Sequence, residues 1–257
     1  MSEISVKLKE VLFRFHSAVK SSKILHGPIP KMIAASKTKP VEDIIEAYKC
    51  GQRDFGENYI KELLEKAFNQ TILNDCKEIK WHFIGHLQKN KVNKLISVPN
   101  LYMIQTIHSQ ALASQVNNAL SKLSTKMSGD NKLKILIQVN TSGEQEKNGL
   151  DPDKVSPLVK FIMAECLNLQ FKGLMTIGML DASQHGHTID NPNPDFLTLI
   201  KCREDVSREC GLKIEDMELS MGMSQDFEHA IEMGATYVRI GTIIFGERNY
   251  SLMVNES

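Results

Sequence analysis

The five cysteines of this 257-residue chain, Cys50, Cys76, Cys166, Cys202 and Cys210, are odd in number and form no Cys-x-x-Cys pair. A disulfide framework is thereby excluded, and reduced thiols in a cytoplasmic setting are expected. A dominant charge is missing as well, since Lys+Arg and Asp+Glu both number 31. Nucleic-acid binding normally needs a basic excess, so nucleic acid is not an expected partner, and the small group Lys89, Lys91 and Lys94 does not change that. No apolar run reaches the length of a bilayer span, which removes a membrane role. The N-terminal stretch mixes basic residues with Glu3 and Glu10 and lacks the apolar block of a secretory signal. That mixture also weakens a transit-peptide reading, leaving the cytoplasm as the expected location and a mitochondrial pool as the alternative. Neither a P-loop nor a nucleophile elbow occurs.

What is present is an alternation of short apolar strands and amphipathic helices. Hydrophobic residues make up 42% and charged residues 24%, the proportions of an ordinary globular protein. After an opening helix over Ser5 to Lys20 and a turn at Gly27 and Pro28, strands are predicted at 31–36, 53–55, 80–84, 101–105, 133–139, 169–175, 217–219 and 236–240. Helices are expected between them, with Pro40 in the first turn of one and Asp151-Pro152 opening another. Strands alternating with helices favour a parallel sheet, and eight such units in this length fit a single (β/α)8 barrel over residues 1–257. A doubly wound dinucleotide fold would carry a glycine-rich first turn, and the turn here is Ser36-Lys-Thr-Lys-Pro40. Two polar linkers, 121–132 and 181–193, read as surface connections, the second as a mobile loop.

Barrel active sites lie at the C-terminal strand ends, so the residues just after each strand act as a filter. They include Ser36-Lys37, Gly56-Glu57-Asn58, Gly85-His86, Asn140-Thr141, Met175-Thr176, Ser220-Met221-Gly222-Met223-Ser224 and Gly241-Thr242. Small, donor-rich turns after the last two strands suit a phosphate, for which barrels recurrently use those loops. For either turn alone, helix capping and tight turning suffice as an account; their pairing favours an anion.

Lys37 is the candidate nucleophile, because a partly neutral lysine at a barrel mouth forms an imine with an aldehyde. An ordinary solvated lysine is the plainer alternative, and Lys39 competes. Arg239, near the end of the eighth strand, is placed to supply a neighbouring cation, or else to pair inside the barrel with Glu57 or another carboxylate. His82 and His86 flank a strand end, where they need not share a face, so His86 reads as a ligand-side hydrogen-bonding group and no metal site is expected. His185-Gly186-His187 reads as loop.

These stretches resemble the pyridoxal phosphate homeostasis proteins, also called proline-synthase co-transcribed homologues. The match runs in order through Ser36–Pro40, Phe55–Tyr59, Trp81–Gln88, Gln138–Thr141, Gly173–Gly178, Ser220–Ser224, Val238–Thr242 and Ile244–Arg248. The resemblance implies an alanine-racemase-like barrel of PLP fold-type III, with pyridoxal 5′-phosphate held as an imine on Lys37. It implies Ser220, Ser224, Gly241 and Thr242 around the phosphate, with backbone from Met223, and Arg239 at the ring nitrogen or the phosphate. Asn58, His86 and Met175 would line the pocket. A monomeric, non-catalytic carrier in vitamin B6 and amino-acid homeostasis is implied, with cofactor-requiring apoenzymes as conceivable recipients. Amino-acid racemisation is the alternative function; two-base racemases of this type use a second domain, for which a chain ending so soon after its eighth strand leaves no room. Ala35 and His108 depart from the commoner family pattern, as do Met179-Leu180-Asp181 and the loop after them.

Overall fold

A computed structural model describes residues 2–22, 28–124, 132–144, 148–178 and 187–247. Eight parallel strands close into a barrel in strict chain order. They are β1 (Lys31–Ala35), β2 (Asp54–Glu57), β3 (Lys80–Phe83), β4 (Leu101–Ile107), β5 (Leu133–Gln138), β6 (Leu169–Met175), β7 (Glu218–Ser220) and β8 (Tyr237–Ile240). Closure is made by β8 on β1, with Met32 beside Val238 and Ile33 beside Arg239. The expected fold class is thus the observed one. Gly27, most of the 121–132 linker, residues 179–186 with His185 and Gly186, and Arg248 lie outside the described residues.

The helices are α1 (Glu3–Ser21), α2 (Val41–Lys49), α3 (Ile60–Ala67), α4 (Gln70–Asp75), α5 (Val92–Ile96), α6 (Gln110–Ser124), α7 (Val155–Glu165), α8 (Pro194–Cys210), α9 (Phe227–Glu232) and α10 (Thr242–Phe245). Helix α1 precedes the barrel and lays Leu8, Val11 and Phe15 onto it, packing against α2, α9 and α10. Arg14 fixes its outer side through a two-pronged pair with Glu228, at 2.7 and 2.9 Å. Pro40 stands one place before α2 as its N-cap rather than in its first turn. Asp151 opens a 3-10 turn at Pro152–Lys154 before α7 begins, and its carboxylate takes the Lys154 ammonium instead of capping backbone.

Strand alternation sorts the core in two. Outward-facing residues such as Phe55, Trp81, Phe83, Ile104, Leu219 and Val238 join the shell between sheet and helices. Inward-facing Ile33, Met103, Leu136, Met175 and Tyr237 form a separate interior cluster. The same parity turns Asp54, His82, Gln105, Ser220 and Arg239 inward, so the barrel's middle carries polar side chains among apolar ones. The cysteines all stand as free thiols, with Cys76, Cys166 and Cys202 buried and Cys50 and Cys210 half-buried.

Candidate functional site

At the C-terminal end of the barrel a cavity of about 110 Å³ opens between β1, β6, β7 and β8. Lys37, Asn58, Met175, Met223, Ser224, Arg239, Gly241 and Thr242 line it, together with Ile84 and Lys39. Eight of the ten candidate positions therefore meet in one place, though they lie up to about 200 residues apart in sequence. The other two are close by in different roles. His86 lines an adjoining cleft of about 930 Å³ that shares Asn58, Ile84 and Ile177 with the cavity. There its ring stacks on His108 at 5.1 Å, and partial burial and that neighbour hold its pKa below the ordinary value. Ser220 is fully buried beneath Arg239.

Lys37 is presented by a loop fastened on both sides. The Ser36 hydroxyl donates to Glu57 Oε1 at 2.7 Å, and the Thr38 N–H donates to Glu62 Oε1 at 2.6 Å. Lys66, on α3, ties these carboxylates together, donating to Glu57, Glu62 and the Ser36 carbonyl at 2.6 to 2.7 Å. Thr38 itself is held at φ +62°, a left-handed conformation that a β-branched residue adopts only under outside constraint. Glu57 is wholly buried, and burial pushes its carboxyl up to about 7 against the pull of Lys66. The alternative pairing of Arg239 with Glu57 is thus corrected: Glu57 faces outward from the sheet toward α3, and Lys66 takes it. Lys39 donates to the Glu247 carbonyl at the cavity's edge.

Arg239 faces inward and is only 5% exposed. Its Nη1 donates to Ser220 Oγ and its Nη2 to the Thr176 carbonyl, both at 2.7 Å. Among the described residues no carboxylate lies within ion-pair distance of it, and burial lowers its pKa to about 10, which still leaves it charged at neutral pH. A guanidinium has five donors, so several remain for whatever enters the cavity.

The last two turns are linked by a bond that the sequence does not show. The Gly241 N–H donates to Ser224 Oγ at 3.2 Å, so Ser224 bridges β8 to β7 rather than capping α9, whose N-cap is Asp226. The Met223 N–H is engaged by Asp226 Oδ1 at 2.6 Å. Gly222, at φ +88°, admits no side chain, because a Cβ there would lie 2.4 Å from that of Ala230. Gly85 is equally constrained, since its Cβ would strike the Asn58 carbonyl at 2.0 Å. That contact seats Asn58 against β3, where its buried Oδ1 has no hydrogen-bond partner.

His82 and His86 do not share a site. His82 lies inside the barrel between Gln105 and Asp54, while His86 is at the mouth. Among the described residues no three His, Cys, Asp or Glu side chains come together as a metal-binding group, and no helix is long and apolar enough to cross a membrane.

A closed eight-stranded parallel barrel, with lysine at the first strand end and small turns at the last two, defines an alanine-racemase-like barrel, and the model of the alanine racemase N-terminal domain matches residues 19–249. The pyridoxal phosphate homeostasis protein of Bos taurus is 55% identical over 223 residues, spanning 86% of this chain and 78% of that one. This chain belongs to the pyridoxal phosphate homeostasis protein family. Among solved structures, PipY of Synechococcus elongatus with PLP bound superposes at a TM-score of 0.73 with 28% identity, over 95% of this chain and all of that one. Alanine racemase of Clostridium difficile superposes at 0.67 with 15% identity, over 94% of this chain and 56% of its own, a likeness of fold alone.

Proposed function

We propose that this chain binds pyridoxal 5′-phosphate, held through its aldehyde on the Lys37 amine, and serves as a non-catalytic carrier in vitamin B6 and amino-acid homeostasis. The observation that carries the reading is the juxtaposition, in one small cavity, of Lys37 and a buried guanidinium that, among the described residues, has no carboxylate within ion-pair distance. The orphaned Asn58 Oδ1 and the close-packed Gly222 turn also fit a compact polar ligand. PipY, a relative in fold and sequence, is known with PLP bound.

Bound there, the cofactor would supply an aldehyde for the lysine and a pyridine ring able to withdraw electrons. Lys37 is the attachment point, and its fastened loop orients the amine. Ser224, Gly241 and Thr242 would hold the phosphate, with Met223 closing the turn, Ser220 acting from beneath, and Asn58, Met175 and His86 bounding the ring and its approach. Arg239, as a donor that stays charged at neutral pH, would face the ring nitrogen and keep it unprotonated, which weakens the ring as an electron sink and suits storage over turnover. The finer proposal is a monomer acting in the cytoplasm and passing cofactor to apoenzymes that need it.

The test is borohydride reduction of the reconstituted protein followed by peptide mass mapping. The expected adduct is on Lys37, absent from Lys37→Ala protein whose far-ultraviolet dichroism is unchanged; an adduct on Lys39 instead would refute the assignment. Incubated with L-alanine, the loaded protein is expected to leave its chirality unchanged over the time a racemase needs for complete conversion.

A further inference from the structure

Behind Arg239 the barrel interior holds an unbroken hydrogen-bonded file of side chains. Arg239 Nη1 donates to Ser220 Oγ at 2.7 Å, and the Ser220 hydroxyl donates to Gln105 Oε1 at 2.7 Å. Gln105 Nε2 meets His82 Nδ1 at 3.1 Å, and His82 Nε2 meets Asp54 Oδ1 at 2.9 Å. Five residues from five elements, β8, β7, β4, β3 and β2, thus span the barrel from its mouth toward the opposite end. Neither Gln105, His82 nor Asp54 lines the cavity.

The two ends set the direction of every bond. Arginine only donates and an ionised aspartate only accepts. His82 is fully buried, and burial holds its pKa below the ordinary value despite Asp54, so the ring is neutral near pH 7. A neutral ring facing a carboxylate must place its proton on Nε2, which leaves Nδ1 as an acceptor. Gln105 must then turn its NH₂ to His82, where Met103 Sδ at 3.7 Å takes a second contact, and its carbonyl to Ser220. With its proton committed to Gln105, Ser220 offers Arg239 a lone pair. The amide and hydroxyl rotors are therefore not free to choose.

We infer that Asp54, His82 and Gln105 are positioning residues, which fix the Ser220 lone pair and through it the aim of the Arg239 guanidinium into the cavity. The inference rests on the proposed placement of pyridoxal phosphate beside Arg239. The apolar residues around the file, Ile33, Met103, Leu136 and Met175, exclude water that would otherwise satisfy these groups in other orientations. Together with the Thr176 carbonyl on Nη2, the file holds the guanidinium in one orientation.

Gln105→Met keeps volume and removes both hydrogen bonds. The expected result is cofactor binding about tenfold weaker, the worth of one lost hydrogen bond to a charged group. Displacing a cation from the ring also favours the protonated imine, so the pH midpoint of the imine absorbance is expected to rise while reduction still marks Lys37. Because a core substitution can unfold a barrel, a second pair works at the far end: Asp54→Ala should move the midpoint in the same direction, and Asp54→Asn, which retains an acceptor for His82, should restore it. Wild-type affinity and midpoint in folded Gln105→Met, or equal behaviour of the two Asp54 variants, would overturn the inference. A reading without cofactor comes from nitrogen-15 NMR of the imidazoles, in which His82 is expected as the Nε2–H form; the Nδ1–H form would reverse the file and sink it. Loss of the Lys37 adduct from wild-type protein would instead refute the carrier proposal and leave the tautomer result standing.

Discussion

Lys66 and Arg239 are both buried cations near the mouth of the barrel, yet their surroundings are opposite. Lys66 sits outside the sheet, on α3, within 2.7 Å of two carboxylates and a carbonyl. Arg239 sits inside, where a hydroxyl and a carbonyl accept its hydrogen bonds and, among the described residues, no carboxylate lies within ion-pair distance. A buried charge costs several kcal/mol to desolvate unless it is paired. At Lys66 that cost is offset within the protein, and the product is a fixed loop beneath Lys37. At Arg239 it is offset only in part, and under the proposed function the acceptors of the cofactor supply the rest. The contrast separates the cation that builds the site from the one that serves it.

The strongest way to break this comparison is to remove the satisfied cation. Lys66→Met leaves Glu57 and Glu62 without their partner and is expected to destabilise the fold by about 3–5 kcal/mol, read from the urea midpoint. Arg239→Leu should cost less, roughly 1–3 kcal/mol for two lost hydrogen bonds, while weakening pyridoxal phosphate binding at least as much as Gln105→Met does. If the two substitutions destabilise equally, the distinction collapses. Glu57 sharpens it through pH. Its folded pKa of about 7 lies above the ordinary 4.5, so its contribution to stability is complete below about 4.5 and is lost as pH rises through about 7. Denaturation at a series of pH values should show that decline in the wild type and a flatter profile in Glu57→Gln. The smallest effect belongs to a pair that is neither buried nor near the cavity: Arg14→Ala, which breaks a bridge with side chains about 40% exposed, should cost under about 1 kcal/mol.

How far the molecule could be read beforehand depended on whether the signal was local. Strand β6 matches its expected limits at both ends, because an apolar run bounded by polar turns is a local code. Helix α4 is not legible in the sequence in this way. It has six residues, too few for a periodic face, and its one local sign was Asn69, whose side chain caps Thr71 and Ile72. Strand β7 has three residues and its expected span was one too early, since Met217 is as apolar as a strand residue but stands outside the ladder. At the site, the strand-end rule found Lys37, Ser224, Gly241 and Thr242 because barrel topology alone delivers those positions to one cavity. It could not find Lys66, Gln105 or Asp54. Alternation tells which face a residue takes, but the partner across the barrel or under a helix is set by closure, and closure leaves no mark at a single position. Ser220 shows the gap well: its place at a strand end was legible, its place beneath Arg239 was not.

The thiols of this chain bear on chemistry that lies elsewhere in it. Aldehydes condense with sulfur as well as with nitrogen, and a carrier of a reactive aldehyde with an accessible thiolate would trap its own cargo in the wrong place. Burial holds Cys76, Cys166 and Cys210 above the ordinary thiol range and pushes Cys202 up to about 11, so these sulfurs stay protonated and poorly nucleophilic. None of the five borders the cavity. Under the proposed attachment, selectivity for an amine then has two sources, the presentation of Lys37 at the cavity and the raised pKa of these four thiols.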